Sequence, residues 1–286
     1  MKFETFFIDR KYEYIYYYLK DQGFSEAFIS SLRTKRGLIL KNDEIANTRT
    51  PLEAGDILSI AMNTRKKSSF KTNTHPLEIV FEDEYLLIVN KPAGLTTSPS
   101  RSHYDENLAG AVLNYMLNKD PDFVVRIVNR LDKDTAGLVI IAKDAYTYSK
   151  LKDVKKKYYA VCEGEIEHNI ILDFPIETIS NNGINQIRRI VSPLGKPAKT
   201  FVTPIKHMKN STLLEITLEN GRTHQIRVHL SYIGHPLIGD EIYGQKSDRI
   251  NNTALICKEI SFTHPKTGEK IQLEIDFPAD FKSLIE

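Results

Sequence analysis

The chain has 286 residues, 41% of them hydrophobic and 27% charged, with a net charge of +2. That composition describes an ordinary globular protein with enough chain for one large core plus a small appendage, and it excludes a disordered polymer. No apolar run is long enough to span a bilayer, and the N-terminus, MKFETFFIDR, carries acidic residues and no cleavage site. The expectation is a cytoplasmic protein. Cys162 and Cys257 are the only cysteines, far apart and without a CxxC partner. They are expected to be buried free thiols rather than a disulfide or a zinc site.

The first 75 residues hold 13 Lys plus Arg against 9 Asp plus Glu, and the remainder holds 26 against 28. The basic excess therefore sits at the N-terminus, where an accessory polyanion-binding unit or a plain solvated surface would both use it. Residues 12–20 and 25–36 are predicted as two short helices. Ser25 is the cap of the second, Phe28, Ile29 and Leu32 form its apolar face, and Gly37 stops it. GLILKNDEI reads as strand, turn and strand, and AGDILSIAM adds one more strand. NTRKKSSFKTNTHP is a linker by composition, so the expected division is a domain over 1–62, a basic linker over 63–75 and a second domain over 76–286.

From residue 76 onward, short β-rich runs alternate with turn signals. LEIVFED and YLLIVNKP flank an acidic turn. VVRIVNRL and GLVIIAKD flank the loop DKDTA. KKYYAVCEGEI, AKTFVTPIKH, STLLEITLE, ALICKEISF and KIQLEIDFP supply further strands. Helices are predicted over 106–118, near 145–152 and over 223–233. Hairpins outnumber strand–helix–strand crossovers, so the fold class is α+β with a large, mainly antiparallel mixed sheet.

Three segments carry chemistry. In VNRLDKDTAGLVIIAKD, Arg130 and Asp132 stand at the mouth of a loop between two strands. An acid there can be a reactive group on a rigid scaffold or a turn former, a role Asp134 fills equally well. In ENGRTHQIRVHLSYIGHPLIGDEIYG, Thr223 is the expected helix cap. Arg222 precedes the helix and Arg227 lies in its first turns, where cations oppose the helix dipole. A compensating anion is required, either a carboxylate or an RNA phosphate. His224, His229 and His235 lack metal-ligand spacing and are expected to cap, pack or touch phosphate. In KKKYYAVCEG, lysines beside tyrosines suit a nucleobase site, although from this segment alone an edge strand guarded by lysines is the better reading. No glycine-rich phosphate loop and no GxSxG elbow occurs, so no nucleotide cofactor is expected.

Together these segments resemble the RluA-type family of pseudouridine synthases. The resemblance runs over roughly 76–286 and rests on NKPAGLTTSPS (90–100), NRLDKDTAGL (129–138), KKYYAVCEG (156–164), GKPAKTFV (195–202) and GRTHQIRVHLSYIGHPLIGDEIYG (221–244), in the family's order. It implies an isomerase that needs no cofactor and no metal. Asp132 falls on the catalytic aspartate and Tyr158 on the tyrosine that stacks on the uracil and takes part in proton transfer. Arg227 falls on the basic residue paired with the aspartate. Arg130 falls on the arginine that holds the target nucleotide out of its stack, and Ile226 on an apolar position against the base. Arg222, Gln225 and Asn129 complete the implied substrate-binding set. The role of GKPAKTFV is not fixed by the resemblance.

The chain departs from the family at Asn129, usually His, and at Ala136, usually Ser. Asn129 keeps a hydrogen-bonding group but cannot titrate. The segment between Lys143 and Tyr158 is shorter than the family's. The N-terminal unit resembles, in degenerate form, the αL RNA-binding motif, which implies RNA contacts by Arg33, Lys35 and Arg36.

Converting uridine to pseudouridine breaks the glycosidic bond, turns the uracil and rejoins it through carbon 5. It requires a base taken out of its stack, at a cost of a few kcal/mol, and one carboxylate. RNA is the expected partner, ribosomal RNA ahead of transfer RNA, and the protein is expected to act as a monomer. The competing reading is a non-catalytic RNA-binding or ribosome assembly protein that retains the fold. It is favoured if Asp132 lies away from any cleft or is not paired with Arg227. A base-excising hydrolase is the third reading, and it requires a second acid to position water.

Overall fold

The computed structural model describes residues 3–33, 38–62, 71–99, 104–151, 153–180 and 187–286. Most of the expected linker, 63–70, lies outside them, as do Lys35, Arg36 and Gly37.

The N-terminal unit is built from β1 (Phe3–Phe7), α1 (Ile15–Asp21), α2 (Glu26–Leu32), β2 (Ile39–Lys41), β3 (Glu44–Ile45) and β4 (Ile57–Ala61). Its four strands form an antiparallel sheet in the order β1-β4-β2-β3. Ser25 caps α2 as the sequence predicts, its hydroxyl accepting from the Phe28 amide at 3.2 Å. Ile15, Leu19, Ile29, Leu58 and Ile60 fill the core between helices and sheet.

The remainder contains β5 (Glu78–Glu82), β6 (Leu86–Lys91), α3 (Leu108–Leu117), β7 (Arg126–Ile127), β8 (Ala136–Ala142), α4 (Ala145–Lys150) and β9 (Lys155–Glu163). It continues through β10 (Ile170–Asp173), β11 (Ile176–Ser180), β12 (Ile187–Val191), β13 (Lys199–Met208) and β14 (Ser211–Leu218). It ends with α5 (Gln225–Tyr232), β15 (Leu255–Thr263), β16 (Lys270–Glu274) and α6 (Ala279–Ile285). Among the described residues the large sheet runs β10-β13-β14-β9-β15-β8-β6-β5, with β16 on β15 and β7 on β8. Its pairs are antiparallel except β15 with β8. This is the expected α+β fold with a large mixed sheet. β11 and β12 form a separate hairpin.

The β8–β15 crossing brings the DKDTA loop beside β9. It depends on Gly137, which has φ of 121°, and a Cβ there would lie 2.3 Å from the Cys257 carbonyl oxygen. β9 lies between β14 and β15, but β14 pairs only its Tyr158–Glu163 part, so Lys155–Lys157 have β15 on one side and an open edge on the other, as the edge-strand reading of these lysines expects. Its Cys162 and Cys257 of β15 are buried free thiols.

The two units touch through α4. Ala145 joins the N-terminal core and Tyr146 packs on Phe6 with ring centroids 5.7 Å apart. Lys266 pairs with Glu4 and lies 4.2 Å from the Tyr146 ring centroid.

Candidate active site

The loop between β7 and β8 is held from below by a buried lysine. Lys91, fully buried at the end of β6, donates to the carbonyls of Pro92 and Leu95 at 2.8 Å and of Lys133 at 3.0 Å. Burial pushes its ammonium down to about 7, against the pull of Asp134 and Asp132. Thr97 completes the anchor, accepting from the Leu131 amide at 3.2 Å and donating to its carbonyl at 2.6 Å. Both neighbours of Asp132 are thus tied down, while Asp132 itself is half-buried and opens into a cavity. The turn after it closes through the Thr135 amide and the Asp132 carbonyl at 3.2 Å.

That cavity has a volume of about 440 Å³, within the roughly 300–1,000 Å³ typical of small-ligand sites. Arg130 and Asp132 line it from the loop, Tyr158 and Lys156 from β9, and Ile226 and Arg227 from α5. The residues implied for catalysis and for contact with the base therefore meet around one space, although they come from three separate segments.

Arg227 is not paired with Asp132. Its Nε and Nη2 each donate at 2.7 Å to the two carboxylate oxygens of Asp240, which is fully buried. Burial pulls the guanidinium pKa down, but the Asp240 bonds and charge outweigh that and raise it above its ordinary value. Asp240 is therefore the anion that the helix start requires. It also accepts from the amides of Ile242 and Tyr243 at 3.0 and 3.1 Å, which fixes the GDEIY turn.

Thr223 does not cap α5. The cap is His224, with φ of 58° and no side-chain bond to the helix amides. This left-handed kink turns its ring to the Tyr243 hydroxyl, 2.9 Å away. Desolvation lowers the His224 pKa below 6.5, and Asp132 and Arg227 pull it in opposite directions. Tyr243 lies 5.3 Å from the Arg227 guanidinium, and its hydroxyl accepts from the Arg189 amide at 3.1 Å. Lys156, His224, Tyr243 and Asp240 were not assigned to the site from sequence. The GDEIYG segment was the only signal for the last two.

Two residues of the implied substrate set are occupied elsewhere. Asn129 donates to the Leu138 carbonyl at 2.9 Å and accepts from the Ile140 amide at 2.8 Å, bracing the loop against β8. Gln225 donates to the Lys199 carbonyl and Thr200 hydroxyl at 3.0 Å and accepts from the Arg222 amide at 2.9 Å. Both amides are buried and position the wall of the cavity. Arg130 and Arg222 remain exposed at its rim.

Tyr158 is buried, with its phenol near the Cys257 thiol. Desolvation raises its pKa well above 10, and the charge of Asp132 adds to this, so the phenol stays protonated. His229 is a packed core histidine between the Thr200 hydroxyl at 3.0 Å and the Phe174 carbonyl at 2.9 Å. On the N-terminal unit, Arg33 donates to the Thr48 hydroxyl at 3.1 Å and, with Arg49 and the exposed Tyr14 and Tyr17, lines a shallow cavity of about 280 Å³.

Residues 85–232 match the RNA pseudouridylate synthase family. A ribosomal large subunit pseudouridine synthase D of Nitrosomonas europaea is 37% identical over 79% of this chain and 70% of its own length. An uncharacterized RNA pseudouridine synthase of Bacillus subtilis, YjbO, is 32% identical over 94% of this chain and 97% of its own. The solved structure of human RNA pseudouridylate synthase domain containing 1 shares the fold, with a TM-score of 0.58 at 22% identity over 72% of this chain and 85% of that one. The chain belongs to the RNA pseudouridylate synthase family and is an RNA pseudouridine synthase, an isomerase.

Proposed function

We propose that this enzyme isomerises uridines of ribosomal RNA, with Asp132 as the nucleophile on a uridine flipped into the cavity. The observation that carries this reading is the convergence of Asp132, Tyr158, Arg130, Ile226 and Arg227 on one cavity. The ribosomal target is supported by relatives named for the large ribosomal subunit. The bond from N1 to the ribose breaks, the bond from C5 forms, the C5 proton leaves and N1 gains one. Asp132 serves as the carboxylate of that exchange. Tyr158, held protonated, stacks on the base and supplies or relays a proton. Ile226 packs on the uracil, and Arg130 occupies the stack at the rim. Arg227 acts on Asp132 through space, since its hydrogen bonds belong to Asp240.

The missing ion pair is one of the two signs expected of a non-catalytic protein, and the other, an Asp132 away from any cleft, does not hold. The N-terminal unit, 1–62, serves as an RNA-binding domain through Arg33, with Lys35 and Arg36 beyond it in sequence. The basic linker is 63–75 and the catalytic domain 76–286. The enzyme works as a cytoplasmic monomer. Among the described residues no helix is long and apolar enough to cross a membrane.

The test is release of tritium from ribosomal RNA labelled at uracil C5. Asp132→Asn abolishes release while leaving RNA affinity within about threefold. Normal turnover by the variant overturns the assignment.

A further inference from the structure

The GKPAKTFV segment builds a second cavity that shares a wall with the first. It has a volume of about 450 Å³ and is lined by Arg189 of β12, by Leu194, Gly195 and Lys196 of the following turn, and by Arg222. Gly221, Arg222 and Thr223 line both cavities, so the two lie on either side of one strip of chain.

Three features of this second cavity point to an anion. First, Nη1 of Arg189 is buried and has no hydrogen-bond partner among the described residues. A buried donor without an acceptor costs about 1–3 kcal/mol, more when charged, unless a ligand supplies the acceptor. Second, Arg222 uses only its Nε, on the Pro197 carbonyl at 3.1 Å, and its two terminal amino groups have no protein partner among the described residues. Third, Lys196 is exposed on the same wall. Three cations face one carboxylate, Glu177, leaving a local excess of positive charge.

The cavity is also built rather than incidental. The turn closes through the Gly195 amide and the Ser192 carbonyl at 2.9 Å, and a Cβ at Gly195 would lie 2.4 Å from the Ile176 carbonyl carbon. Only glycine lets the turn press this closely on β11. The Arg189 amide is bonded to the Tyr243 hydroxyl at 3.1 Å, and Tyr243 is bonded in turn to His224 at the first cavity. Nothing in the chemistry of the isomerisation uses these groups.

We propose that this second cavity is a phosphate subsite, in which Arg189, Arg222 and Lys196 hold a backbone phosphodiester of the RNA strand next to the flipped uridine. It rests on the reading of the first cavity as the uridine site. A flipped nucleotide stays joined to its neighbours, so its flanking phosphates must leave the uridine cavity across the rim. The strip 221–223 is such a rim, and Arg222 stands on it facing both spaces. Phosphate contacts of this kind fix register without reading bases.

The test uses a fluorescent uridine nonamer, with its Kd measured by anisotropy from 50 to 300 mM salt. Each phosphate neutralised on a single strand contributes about −0.7 to the slope of log K against log salt. Arg189→Gln and Lys196→Gln each weaken binding severalfold at 50 mM salt and flatten the slope in part, the double variant by about 0.7 in all, whereas Arg189→Lys keeps the slope. Lys196 is exposed, so its replacement reports charge rather than folding. Unchanged slopes in Arg189→Gln and Lys196→Gln overturn the subsite, as does failure of the wild-type enzyme to bind the nonamer at 50 mM salt. Tritium release from ribosomal RNA by the wild-type enzyme is measured in parallel. Its absence identifies failure of the uridine-site reading, while its presence with unchanged slopes identifies failure of the phosphate subsite alone.

Discussion

The guanidinium of Arg227 closes a bidentate pair on the carboxylate of Asp240, with both bonds at 2.7 Å and the two side chains 2% and 0% exposed. A pair so deeply buried is stable only while complete. Each charge alone would carry an uncompensated desolvation penalty of several kcal/mol. The pair also sets the direction of α5, because Arg227 is in its first turn and Asp240 fixes the turn after it.

Asp240→Ala should therefore destabilise the enzyme by about 3–5 kcal/mol, the usual cost of breaking a buried pair from one side. For a domain of this size that corresponds to a fall of roughly 10 °C in Tm. Asp132→Asn should leave Tm within about 2 °C, since Asp132 is half-buried and belongs to no ion pair among the described residues. Thermal unfolding of the two variants separates the roles. Equal losses would show that Asp132 is also a structural partner.

Lys91 sets up a second contrast. Three carbonyls surround its Nζ, and a replacement without donors takes the lysine's bond from the Pro92 and Leu95 carbonyls, while the Lys133 carbonyl keeps the Gly94 amide at 2.9 Å. Lys91→Met should cost about 3 kcal/mol or more and lower kcat, because the 131–135 loop loses its anchor. The pH dependence has a definite sign. The folded lysine titrates at about 7 and an ordinary one at 10.5, so between those values the unfolded chain binds the extra proton. Wild-type stability relative to Lys91→Met should therefore rise with pH from about 7 toward 10.5. Denaturant midpoints at pH 7, 8 and 9 measure it, and a gap that stays constant or narrows would sink the idea.

What the sequence makes legible is local. Alternation and turn residues locate most strands of the large sheet, and the apolar spacing of Ile226 and Leu230 locates α5. The site was legible as a demand: two cations near a helix start need an anion. Which anion was not legible, because Asp240 reaches Arg227 only through the fold of the 233–240 segment. Strand neighbours are equally hidden. The Lys155–Lys157 run reads as an edge, and on the β14 side it is one, since that ladder stops at Tyr158, but its β15 partner on the other side lies far on in sequence and is not legible. β1, β10 and α6 pass unread, being short segments stabilised by partners distant in sequence. His224 as cap breaks the local rule, since a left-handed histidine is chosen by its contact with Tyr243 rather than by helix propensity.

Tyr158 separates ring from hydroxyl. Its phenol is held protonated by burial, with the charge of Asp132 adding to this. Tyr158→Phe keeps the ring and should bind RNA normally, but should turn over about 10²-fold more slowly as the proton-transfer contribution is lost. Because the phenol titrates well above 10, no alkaline decline in kcat below pH 9 should come from this residue. Single-turnover rates alongside RNA Kd values decide. A wild-type rate in the Phe variant would restrict Tyr158 to stacking.

His224 provides the acidic limb. Desolvation keeps its ring neutral at neutral pH, with a folded pKa below the ordinary 6.5. Between those two values the unfolded chain takes up a proton that the folded protein refuses, so stability is full above 6.5 and is lost as pH falls through the folded value. Protonation would also place a cation beside Arg227 and Arg189. His224→Asn is the informative variant, because asparagine tolerates the left-handed backbone and does not titrate. Wild type should lose Tm and turnover between pH 6.5 and 5 more steeply than His224→Asn. Parallel pH profiles for the two proteins would assign the acidic decline to another group.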